Sequence, residues 1–155
     1  MSHWNLPWDG GCLCGGIRSR VTQPPLLTLA CHCHGCQRLA ASAFSRSISV
    51  PVVGFAVTQG EPVLGGKHGL HRPYYCSHCK NWIFTRPQGL DGFLVNVRAT
   101  MLDDHAWVEP FVEVNTREGL PWAKTGAPHS FEAEPGPSGF QPLVEEFASK
   151  GRRPG

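Results

Sequence analysis

The sequence predicts a mainly β fold of small antiparallel sheets with one or two short helices, on three observations. Eighteen Gly and fourteen Pro are spread along 155 residues, which leaves little room for long helices and favours short strands joined by turns. Phe93-Leu94-Val95-Asn96-Val97-Arg98 alternates cleanly, with Phe93, Val95 and Val97 on one face, and Val112-Glu113-Val114 does so over a shorter span; both read as half-buried strands. All seven cysteines fall into three tight clusters, Cys12-x-Cys14, Cys31-x-Cys33-x-x-Cys36 and Cys76-x-x-Cys79, around which such short elements can be organised.

Further strands are expected at 17–21, 26–30, 44–50, 55–58 and 82–85, where β-branched or aromatic residues are bounded by Gly, Pro or Cys. A helix is expected over 37–43, rich in good helix formers, with Gly35 and Cys36 at its N-terminus. A second is expected over 142–150. Pro142 suits a first turn, Glu145 and Glu146 come early, Lys150 comes late and Gly151 ends it. Residues 135–139, Pro-Gly-Pro-Ser-Gly, read as a loop. The organisation expected is a tail over 1–9, one domain over 10–132, and a C-terminal loop and short helix over 133–155 that packs on or trails from it. Trp4 and Trp8 precede the expected core and are candidates to cap a pocket.

Clusters with one or two residues between cysteines put two sulfurs on one metal without closing a long loop, and soft thiolates select zinc among abundant divalent ions. Seven ligands divide as four plus three. Cys12 and Cys14, read as a strand, point the same way, and Cys76-Ser77-His78-Cys79 is a knuckle that supplies the other half of a closed structural site. Such a staple contributes about 10 kcal/mol or more, comparable with the roughly 5–15 kcal/mol that holds a typical domain together. Cys31, Cys33 and Cys36 remain. Three ligands leave a coordination position free, and three thiolates on zinc suit thiol chemistry better than hydroxide formation. His34 is the candidate proton donor. An alternative reading closes this second site with His32, His34 or His78, although His32, adjacent to two ligands in an extended segment, is poorly aimed at their metal. His68 and His71 read as loop residues that line a cleft or face solvent. A disulfide framework fits poorly, since the count is odd and no apolar stretch opens the chain as a signal peptide. A reducing, cytoplasmic setting is expected.

A net charge of +2 with no block of like charge advertises neither a nucleic-acid nor a membrane surface, and no apolar run has the length to cross a bilayer. Oxidation sensing by an unmetallated triad is a further possibility.

The order Gly10-Gly11-Cys12-Leu13-Cys14-Gly15-Gly16, then Cys31-His32-Cys33-His34-Gly35-Cys36-Gln37-Arg38, then Tyr75-Cys76-Ser77-His78-Cys79, with Leu102-Asp103-Asp104 and Leu120-Pro121-Trp122, resembles the glutathione-dependent formaldehyde-activating enzyme family, which includes the centromere protein V domain. The resemblance covers about residues 10–125. It implies a zinc-bound fold of small antiparallel sheets, a structural zinc on Cys12, Cys14, Cys76 and Cys79, and a catalytic zinc on Cys31, Cys33 and Cys36. It also implies a carbon–sulfur lyase that reversibly joins a thiol, glutathione or a related one, to a small aldehyde such as formaldehyde. A non-catalytic zinc-bound binding module on the same fold is the alternative. Two residues depart from the family pattern. Lys80 stands where Gly usually follows the knuckle, so Asn81 is expected to absorb a left-handed turn, and Glu113 stands where some members carry His. A glutathione carboxylate needs a cation, for which Arg38 and Arg46 lie nearest the triad in sequence and Lys67, Lys80 and Arg98 lie farther away.

Overall fold

A computed structural model describes residues 3–155, and among them strands dominate. The chain opens with β1 (Trp8–Gly11) and β2 (Arg18–Val21), followed by β3 (Leu27–Cys31), α1 (His34–Ala40), β4 (Ser45–Pro51) and β5 (Phe55–Gln59). Then come β6 (Val63–Leu64), β7 (Arg72–Tyr75), β8 (Trp82–Arg86), β9 (Leu94–Arg98), β10 (Val112–Val114), β11 (His129–Ser130) and α2 (Pro137–Lys150). They form a three-stranded sheet in the order β1-β2-β5 and an eight-stranded sheet in the order β11-β10-β3-β4-β9-β8-β7-β6. Antiparallel pairing, the sequence expectation, holds except at β10, which runs parallel to both β3 and β11. The cause is the long connection after β9, which carries the chain past β4 and β3, whereas a tight hairpin would have made an antiparallel neighbour. No helix among the described residues is long and apolar enough to cross a membrane.

Two apolar clusters build the core. Val21, Ile48, Val50, Ile83, Val95 and Val97 fill one, and Leu27, Trp82, Phe111, Val112, Leu143 and Phe147 belong to the other. Complete burial of such side chains contributes about 1.5–3 kcal/mol each. The alternation expected of β9 holds for Val95 and Val97, but the strand begins at Leu94 and Phe93 is 71% exposed. In β10 all three residues are buried, contrary to the half-buried expectation, because β3 and β11 flank the strand and Val112 and Val114 pack in one core with α2 residues Leu143 and Phe147.

Both helices start earlier than their composition suggested. Cys33 caps α1, its sulfur accepting the Cys36 N–H at 3.3 Å, and Ala41 ends the helix in a left-handed conformation. α2 begins at Pro137, so the Pro-Gly segment read as a loop contributes its first turn, and Pro142 lies inside the helix. The first-turn preference of proline applies, but to the earlier proline. Leu143 and Phe147 are the buried residues of α2, four apart as one helical face requires. Trp4 and Trp8 pack on Trp107, with ring centroids 6.2 and 4.9 Å away, and Trp4 also meets Phe147 at 5.8 Å. They serve packing; neither lines a cavity described below.

Candidate metal centre

Two groups of sulfurs could hold metal ions, and their membership is the four-plus-three division expected from spacing. In the first, the ligand atoms of Cys12, Cys14, Cys76 and Cys79 lie within 4.8 Å of one another. Cys12 and Cys14 sulfurs are 3.6 Å apart, and Cys14 and Cys76 sulfurs 3.7 Å. Tetrahedral zinc with sulfur at about 2.3 Å separates its ligands by about 3.8 Å, so the donor set fits. The route differs from the strand geometry expected. Cys12 and Cys14 lie in a turn after β1, where the Ile17 and Gly16 N–H groups donate to their sulfurs at 3.3 and 3.4 Å. Across the cluster, Lys80 itself takes the left-handed conformation (φ 63), and Asn81, expected to absorb it, instead accepts the Leu13 N–H on Oδ1 at 2.6 Å. The knuckle and the N-terminal turn are thus tied to each other beside their shared cluster.

Crowding separates the thiols. Burial resists ionisation of Cys79, yet hydrogen bonds from the Asn81 and Cys14 N–H groups and from Cys76 and Cys12 lower it to about 6. The Gly16 N–H favours a Cys14 thiolate, but its sulfur neighbours, Cys12 first, push Cys14 up to about 11. Neighbouring thiols cannot all ionise without a cation, which is the requirement a divalent metal meets.

The second group is Cys31 at the end of β3, Cys33 at the cap of α1, and Cys36 in its first turn. Six consecutive residues deliver all three sulfurs. Hydrogen bonds from Cys31 and Cys36 hold Cys33 far below the ordinary thiol range, whereas contacts with Cys31 and Cys33, then burial, push Cys36 far above it. Cys31 is also raised, chiefly by Cys33, although Asn115 Nδ2 donates to its sulfur at 3.3 Å. Three crowded thiols resist ionising together without a cation, and a divalent ion would displace their protons.

None of His32, His34 or His78 joins either group. His32 is turned away, as its alternation with the ligands implied, and its Nε2–H donates to Glu113 Oε1 at 2.8 Å within the core. Glu113 Oε2 accepts from Thr125 Oγ1 as well, so the departure at 113 gives His32 a buried partner. His34 is 62% exposed with Nδ1 3.5 Å from Glu118 Oε1. The histidine beside the sulfurs is His68. Its Nε2 is 3.4 Å from Cys33 Sγ and 3.6 Å from Cys36 Sγ, and its ring meets Trp82 edge-on at 5.8 Å. A Cβ at Gly35 would stand 2.6 Å from the His68 ring, so the bare backbone of α1 permits the approach. The sequence signal was present only as glycines flanking a histidine pair.

Two cavities open on the triad. The inner one, about 420 Å³, is lined by Cys31 and Cys36, by serines of β4, and by apolar residues including Leu29, Trp82, Leu94, Phe140 and Val144. The outer one, about 410 Å³, is lined by Cys31, Cys33, His68, His71, Gln88 and Asn115, among others. Of the five cations considered from sequence, Arg98 alone lines either cavity. Arg38 is exposed, and Arg46 donates to the carbonyls of His105 and Val108.

A family model described as glutathione-dependent formaldehyde-activating enzyme matches residues 7–118. The crystal structure of a Rhodobacter sphaeroides protein is similar in fold, with a TM-score of 0.51 at 17% identity, over 61% of this chain and 87% of that one. No curated protein matches the sequence.

Proposed function

Because the chain belongs to the glutathione-dependent formaldehyde-activating enzyme family, we propose that it is a zinc-dependent carbon–sulfur lyase that reversibly adds glutathione or a related thiol to formaldehyde or another small aldehyde. The observation that carries this reading is that the Cys31, Cys33 and Cys36 sulfurs, a three-ligand set, border two cavities. No sulfur of the four-cysteine group lines either cavity. That group is structural in this reading.

Held by Cys31, Cys33 and Cys36, zinc would supply the positive charge that keeps an incoming thiol ionised near neutral pH. The proton lost by the thiol is the concern of the chain's own residues. Cys33 Sγ, a thiolate when it ligates a metal, accepts from His68 Nε2–H at 3.4 Å, which leaves the unpartnered His68 Nδ1 to take the proton, and we assign the role to His68 in preference to the exposed His34. In the addition a sulfur electron pair forms the carbon–sulfur bond and the carbonyl π pair moves to oxygen. His68 then returns the proton to that oxygen, giving a neutral hemithioacetal. Asn115 holds Cys31 by its Nδ2 donation, and the capping bond from the Cys36 N–H fixes Cys33. Seven free thiols favour a reducing, cytoplasmic setting for this chemistry.

The test is magnetisation exchange between formaldehyde hydrate and S-hydroxymethylglutathione, followed by NMR with zinc-loaded protein. Exchange should exceed the uncatalysed rate and return to it with Cys36→Ser. Equal rates for the two proteins would overturn the lyase reading, and a cobalt-substituted protein indifferent to every small thiol would favour a binding module.

A further inference from the structure

Arg98 ends β9 inside the protein, 7% exposed, with its guanidinium carbon 4.0 Å from the centroid of the Trp82 ring. Its Nε has no hydrogen-bond partner. Burial lowers its pKa to about 10, which leaves it charged at neutral pH; the groups that oppose the lowering are Cys36, Cys31, Tyr75 and Cys33, none of them a carboxylate. A buried guanidinium offers five N–H donors in a planar fork, and leaving such donors unmet costs more than placing the residue at the surface. Arg98 also lines the inner cavity, whose other walls are largely apolar and which ends at the Cys31 and Cys36 sulfurs. The arrangement is a pocket with one cation, one carboxylate (Glu134), mostly apolar sides and a reactive end.

Glutathione matches this pocket poorly. It carries two carboxylates and an ammonium on a polar body; Glu134, which lines both cavities, suits the ammonium, but Arg98 is the only Lys or Arg lining either cavity among the described residues, so the second carboxylate has no cation. Part of the inner wall also lies outside the residues matched by the family model. Glu134, Pro137, Phe140, Gln141 and Val144, from α2 and the segment before it, close the cavity beyond position 118. The chamber is therefore shaped by a part of the chain for which the family supplies no expectation.

We propose that the inner cavity binds a small monocarboxylate with an apolar chain, its carboxylate seated on Arg98 and its other end directed at Cys31 and Cys36, and that the substrate thiol or carbonyl compound belongs to this class. The orientation and the word substrate rest on the lyase reading; the carboxylate pocket does not. Arg98 is a binding residue here, reading the carboxylate through its fork while Trp82 supports the guanidinium plane.

The test uses sulfur-free and aldehyde-free probes, straight-chain carboxylates from butanoate to octanoate, titrated into zinc-loaded protein by calorimetry. Affinity should rise about fourfold per methylene until the cavity is full. Hexanamide should bind roughly ten- to a hundredfold more weakly than hexanoate. Arg98→Met should show the same loss, and Arg98→Lys, which keeps charge without the fork, an intermediate one. The amide comparison stands even if a variant fails to fold. Equal affinity for hexanoate and hexanamide, or no binding of any member of the series, would overturn the pocket. So would an Arg98→Met protein whose cobalt–thiolate spectrum shifts while hexanoate binding is unchanged, since Arg98 would then serve only to offset the sulfur charge. Carboxylate binding without aldehyde exchange would instead fault the lyase reading, and exchange of glutathione without carboxylate binding would fault this one.

Discussion

The two cysteine groups differ in how the chain assembles them. The four-sulfur group joins residues 62 apart, Cys14 and Cys76, and borders neither cavity. The three-sulfur group comes from six consecutive residues and borders both. A metal in the first would close a long loop between the N-terminal turn and the middle of the chain, so its binding energy is folding energy. A metal in the second would close almost nothing, because β3 and α1 already hold the ligands together. Function can be spent where the fold does not depend on the ion.

The sharpest way to break that comparison is a pair of matched substitutions. Cys79→Ser should remove a term of about 10 kcal/mol or more and yield insoluble or unfolded protein. Cys36→Ser should fold cooperatively, lose one zinc and lose the exchange activity. Thermal unfolding together with elemental analysis reads both, and a soluble Cys79→Ser beside a collapsed Cys36→Ser would reverse the assignment of the two groups.

Metal content separates the groups next. Zinc-replete protein should hold close to two ions, and mild chelation should remove the triad's first. Acid should do the same. In the triad Cys31 and Cys36 are raised and Cys33 is lowered, whereas in the other group only Cys14 is raised and Cys12 and Cys79 are lowered. Protons compete harder for the raised thiols, so as pH falls the triad empties at the higher pH. Cobalt-substituted protein followed by thiolate charge-transfer absorption checks the order, and simultaneous loss would contradict it.

His68→Gln sharpens the comparison within the triad. The exchange rate should fall roughly tenfold or more while both metals stay bound, because the side chain moves a proton and the three sulfurs hold the ion. An unchanged rate would remove His68 from the mechanism. Glu113→Gln should have the smallest effect, about 1 kcal/mol of stability lost by denaturant unfolding, since a neutral amide still accepts from His32. It should leave the metal content of both groups intact.

Much of the site is legible in the sequence. Residue spacing alone divided Cys12, Cys14, Cys76 and Cys79 from Cys31, Cys33 and Cys36, because chelation by neighbours along a chain is local chemistry and needs no knowledge of the packing. Alternation located β9 and β10, runs of β-branched or aromatic residues bounded by Gly, Pro or Cys located β2, β3, β4, β5 and β8, and alternation also turned His32 away from the sulfurs. Packing decided the remainder. His68 reaches the triad across a bare glycine in another element, Arg98 sits under the cavity because β9 lies beside β4, and a helix near the C-terminus completes the wall. None of these has a signal at short range. Their side chains are ordinary loop, strand and helix residues until the sheet order and the late helix bring them to one place, and so the sequence determined what the sulfurs can hold while only the tertiary structure decided what can be brought to them.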